Sequence, residues 1–152
     1  MHTRTRHATA PLPAMPTSLP ARAYALPLIL PLLLAACSDA VQTQYRDLDE
    51  ARAAGAIQRG WLPAWLPART GAITEAHDLD TNRRAARFVL PDGARIEPPD
   101  CAPASGRLPS PALALPGWPA SLHQDGAAGR YRLYRCADGY AAFDANHGYV
   151  WN

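Results

Sequence analysis

Three histidines downstream of residue 36, His77, His123 and His147, are the side chains best suited to acid–base or metal chemistry near neutral pH. No two of them stand at the spacing of a His-Glu-x-x-His zinc helix, so the sequence assigns no metal ligand and no cofactor. Asp78 follows His77, which sets a carboxylate beside an imidazole, but neighbours on a strand point to opposite faces. Asp78, Asp80 and Asn82 place oxygens at the first, third and fifth positions of a calcium loop. Such a loop then needs Gly and Glu at its sixth and twelfth positions. Arg83 and Val89 stand there instead, which excludes an EF-hand and leaves a turn. No Gly-x-Ser-x-Gly nucleophile elbow is present. The sequence nominates no catalytic residue, and the balance leans away from an enzyme.

The cysteines carry a clearer message. Arg4, Arg6 and Arg22 precede the apolar run Ala23 to Leu34, which ends in the small residues Ala35 and Ala36. A positive segment, a short apolar segment and a small-residue cleavage site define a secretory signal, whether translation starts at Met1 or Met15. The run is too short to span a bilayer, which takes about 20 apolar residues. Leu34-Ala35-Ala36-Cys37 resembles the bacterial lipobox, which implies cleavage before Cys37 and attachment of diacylglycerol to its thiol, with a further acyl chain such as palmitate on the new amino group. Two chains give stable anchoring at about 0.8 kcal/mol per buried methylene. Ser38 after the cysteine implies the periplasmic face of the outer membrane in a Gram-negative cell. With Cys37 lipidated, Cys101 and Cys136 remain as an even pair, and an oxidising compartment permits a disulfide between them. Two free thiols are the alternative.

Removing 36 of 152 residues leaves 116, room for one modest domain. The leader holds three of the 15 basic residues and none of the 13 acidic ones, so the remainder carries 12 against 13, a net of −1. No basic stripe interleaved with aromatics is present, which argues against nucleic-acid binding.

Several elements must position whatever chemistry exists. Residues 37–44 read as a lipidated polar tether, followed by a domain over 45–152. Asp47 with Glu50 three residues on makes a capping-box-like start, and Ala51, Ala53, Ala54 and Gly55 complete a predicted helix over 47–55. Two Trp-Leu-Pro steps follow, and the residue before proline avoids the helical region. Trp61, Leu62, Trp65 and Leu66 could share an apolar face as a core plug. Alternatively, Trp61 and Trp65 form an aromatic patch for a partner or glycan. A strand over 72–79, a turn at Asp80-Thr81-Asn82 and a strand over 83–90 read as a hairpin. Eight prolines between Pro91 and Pro119 predict an irregular stretch from which Leu113, Leu115 and Trp118 dock on the core. Strand patterns then return around 131–135, 139–143 and 148–151 as a three-strand meander with turns at Ala137-Asp138-Gly139 and Ala145-Asn146-His147-Gly148.

The segments Tyr45 to Ala56, Arg59-Gly60-Trp61-Leu62-Pro63-Ala64-Trp65-Leu66-Pro67 and His77-Asp78-Leu79-Asp80-Thr81-Asn82 resemble a group of bacterial proteins, many of them small exported or lipid-anchored chains, that carry a YbbD head domain. The resemblance covers about residues 45–90 and implies no established activity and no catalytic residue. The expected fold is α+β: an N-terminal helix, a central β-hairpin and a C-terminal antiparallel meander. The expected function is that of a membrane-anchored lipoprotein acting as a non-enzymatic envelope module that binds a protein or glycan. An envelope hydrolase with an unrecognised site and a purely structural lipoprotein are the alternatives.

Overall fold

A computed structural model describes residues 40–152. The signal segment 1–36 and Cys37 lie outside the described residues.

Seven strands form the framework of the domain: β1 (Ala40–Asp47), β2 (Gly71–Asp78), β3 (Arg83–Val89), β4 (Cys101–Ala104), β5 (Arg132–Cys136), β6 (Gly139–Phe143) and β7 (His147–Trp151). They form one sheet in the order β1-β2-β3-β7-β6-β5-β4, and every neighbouring pair is antiparallel. The hairpin β2–β3 and the meander β5–β6–β7 are both present at the places their strand patterns and turn residues predict. Their union is long-range: β7 pairs with β3, setting Val150 opposite Ala86 and Gly148 opposite Phe88. At Gly148 a Cβ would lie 2.2 Å from the Phe88 ring, so only glycine lets these two strands close over a buried aromatic.

The α+β expectation is corrected. The helix exists, but α1 (Leu48–Ala53) has only six residues and follows a strand instead of opening the domain. Its start is as predicted, with Asp47 Oδ1 accepting from the Glu50 N–H at 2.9 Å. Its end is set by Gly55 at φ +78, a conformation that closes a helix and that side chains resist. The sheet begins inside the segment read as a tether, because residues 40–45 pair with residues 73–78 of β2. Pairing with a strand some 30 residues away leaves no local trace in a polar sequence. The proline-rich stretch also holds a strand, β4, which Pro103 does not prevent because β4 lies at the edge of the sheet.

Each face of the sheet is covered by irregular chain. On one face Tyr45, Ile73, Ala86, Phe88, Val150, Ala141, Phe143 and Tyr134 pack beneath α1 and the loop 54–67, with Leu62 and Leu66 buried among them. On the other, Ala76, Ala85, Tyr149, Trp151, Ala142 and Leu133 pack beneath residues 105–131, which contribute Leu108, Leu115, Leu122 and Ala127. Leu113 and Trp118 dock half-buried against this second cluster. Its strap is fastened by His123, whose Nε2 accepts from Trp118 Nε1–H at 2.7 Å while Nδ1 lies 3.3 Å from the Leu108 carbonyl. Nε2 as acceptor requires the neutral ring, and burial pushes the His123 imidazole below its ordinary value.

Candidate functional site

The loop 54–67 stands over the first face and divides its four large apolar residues by role. Leu62 and Leu66 are 1% and 4% exposed and plug the core. Trp61 and Trp65, one residue ahead of each, stay half-buried and line clefts. The single apolar face drawn from their spacing is therefore two rows, one inward and one outward.

Trp61 contacts an imidazole and a guanidinium. Its ring stacks on His77 at 3.5 Å with an interplanar angle of 10°, and the Arg59 guanidinium sits 4.0 Å from its centroid. Arg59 is held there by donating to the Ala54 carbonyl. Behind His77 is Glu75, a carboxylate with 0% exposure. His77 Nδ1 lies 3.1 Å from Glu75 Oε2 and 3.3 Å from Oε1, and the Tyr45 hydroxyl approaches Oε1 at 3.5 Å. Burial, then the charge of Glu75, pushes the Tyr45 phenol up, so it stays protonated and able to donate.

Glu75 was missed in the sequence, where His77 was tested against Asp78. The signal was available: residues two apart on a strand share a face, so Ile73, Glu75 and His77 point together. Asp78 points away from the pair and accepts the N–H groups of Asp80 and Thr81 at 2.9 and 3.1 Å, the turn that replaces a calcium loop.

Two clefts open beside this arrangement and share Gly60 and Arg84 in their walls. The smaller, about 210 Å³, is lined by Arg59, Trp61, His77, Asp78, Arg83 and Arg84. The larger, about 450 Å³, runs from Trp65 over Leu62 and Ala141 to the Cys101–Cys136 disulfide. That disulfide joins directly opposed residues of β4 and β5 across a separation of 35 residues. Arg84 forms an ion pair with Asp138 on the rim of the larger cleft.

The other nominated residues lie elsewhere. His147 caps its own turn, with both its backbone N–H and its ring on Asp144. His123 and Trp118 sit on the opposite face of the sheet. Among the described residues no three His, Cys, Asp or Glu side chains gather to hold a metal ion, and no helix is long and apolar enough to cross a membrane.

Residues 39–89 match the YbbD head domain. This YbbD head segment, a third of the chain, comprises β1, α1, the loop 54–67, β2 and β3. It carries Tyr45, Arg59, Trp61, Trp65, Glu75, His77, Arg83 and Arg84. The far wall of the larger cleft, from Pro99 to Cys101 and from Cys136 to Ala141 with Val150 and Trp151, comes from outside the YbbD head segment. No curated protein and no solved structure matches the chain.

Proposed function

We propose that this chain is a bacterial envelope lipoprotein, anchored through lipid on Cys37 at the periplasmic face of the outer membrane. There it serves as a non-enzymatic module that binds a protein or glycan partner through the cleft at Trp65. The observation that carries the binding reading is a half-exposed tryptophan held in a cleft of about 450 Å³. That volume falls in the range of about 300–1,000 Å³ typical of ligand sites, and tryptophan is the side chain most enriched at binding hot spots. The cleft is rigid on several sides. The Trp65 ring meets Phe143 edge-on at 6.1 Å, and the disulfide fixes one wall. Preorganised walls reduce the entropy lost on binding.

The anchor is tested by metabolic labelling with a fatty-acid analogue: Cys37→Ala should lose the label, and unchanged labelling refutes lipidation there. The binding face is tested in intact cells with a photo-crosslinking residue at position 65 or at position 118 on the opposite face. Discrete adducts from position 65 alone, or retention of purified cell-wall glycan that Trp65→Ala abolishes, are expected. Equal adduct patterns from both positions, with no such retention, would dismiss the cleft.

A second reading, envelope hydrolase, draws on the His77–Glu75 pair, since a carboxylate-oriented imidazole can act as a general base. The lining of its cleft contains no Ser, Thr or Cys, so the base would have to act on water. Turnover of labelled envelope polymer that disappears in His77→Gln would favour it over the module.

A further inference from the structure

We propose that the cleft bounded by Arg59, Arg83 and His77 binds a small oxyanion, a carboxylate or phosphate group. The inference rests on the cleft's own residues and goes beyond the partner reading at Trp65.

Charge supplies the first argument. Three guanidinium-bearing residues line a space of about 210 Å³. Arg84 is matched by Asp138, whereas Arg59 and Arg83 have no carboxylate partner among the described residues. Asp78 is the one carboxylate in the lining, and its Oδ1 is already engaged by two backbone N–H groups. Guanidinium groups present planar N–H forks that match carboxylate and phosphate oxygens.

His77 supplies the second. The residue is 4% exposed, its Nδ1 is committed to Glu75, and its Nε2 has no partner among the described residues although the ring lines the cleft. Nε2 is the ring atom left for a ligand in the cleft, because Nδ1 is held on Glu75. A proton on Nε2 lets the ring donate to an oxygen in the cleft while Nδ1 stays on Glu75. Glu75 orients the ring through Nδ1, and the stack on Trp61 fixes its plane. An incoming anion then meets the imidazole edge between the guanidinium-bearing residues Arg59 and Arg83. A divalent cation is disfavoured by the same charges.

The test titrates the purified full-length chain in neutral detergent with inorganic phosphate and, separately, acetate. Chloride at matched ionic strength is the control. The readouts are the Trp61 indole and His77 ring resonances. Saturable shifts with phosphate or with acetate are expected, and whichever saturates names the group. Arg83→Gln and Arg59→Gln should each weaken the binding about fivefold or more, His77→Gln about tenfold, and Arg130→Gln not at all. Non-saturating shifts, shifts equal to those from chloride, or affinity unchanged by Arg83→Gln would overturn the proposal. Arg83 is exposed, so its variant keeps the fold and that arm stays informative. Failure here leaves crosslinking from position 65 unaffected, and the reverse also holds.

Discussion

Replacing Glu75 and His77 one at a time and together separates a pair kept for chemistry from one kept for stability. In His77→Phe the ring stack on Trp61 is retained, but Glu75, at 0% exposure, keeps only the Tyr45 hydroxyl at 3.5 Å. Breaking a buried charged pair from one side costs about 3–5 kcal/mol. In Glu75→Leu the Nδ1 of His77 loses its acceptor behind Trp61, a buried unmet donor costing about 1–3 kcal/mol. The double variant has neither orphan. A well-packed apolar replacement of a buried pair is often neutral or stabilising, so the double variant should lie within about 1 kcal/mol of the parent or above it. The coupling is then at least about 3 kcal/mol, well outside the additivity expected of independent sites. Urea unfolding of all four chains measures it, with equal m-values checking that the unfolded states are comparable. Were the double variant destabilised by the sum of the two singles, the pair would be a structural asset and the reasoning behind the site would fail.

Thr70 is fully buried and its Oγ1 has no hydrogen-bond partner among the described residues, so Thr70→Val should raise stability by about 1 kcal/mol, a gain of several degrees in Tm; a loss would mean the hydroxyl is satisfied in solution. Gly148→Ala drives a Cβ into the Phe88 ring, which is itself 1% exposed and cannot retreat. The expected cost is about 3 kcal/mol by denaturant unfolding, shrinking when Phe88→Leu is added. His123 titrates below the ordinary imidazole value of 6.5 in the folded chain, so the unfolded chain binds the extra proton first as pH falls. Stability should therefore be complete above pH 6.5 and decline from there down to the lower folded value. The difference in unfolding free energy between the parent and His123→Phe should carry that slope, and a pH-independent difference would remove His123 as its source.

Local rules, acting over a few residues, were enough to place much of this chain. The Asp47 cap, the stop at Gly55, the Asp78 turn and the alternation of β2, β3, β5, β6 and β7 each follow from hydrogen bonds or side-chain periodicity that operate within one element. The likeness to the YbbD head domain likewise came from short runs of residues. What the sequence left open were relations between segments. Nothing local tells Gln42 and Gln44 that they are strand, because they become so only by pairing with Ala76 and Thr74. The same is true of Cys101 to Ala104, whose prolines and alanines read as loop until β5 lies beside them. The site was split in the same way. His77 was visible and Glu75 was one strand repeat away, but their burial and the stack of Trp61 on His77 exist only once the loop 54–67 folds back over the sheet. The physical reason is that charge and exposure are properties of the space around a side chain, and that space is set by chain segments distant in sequence.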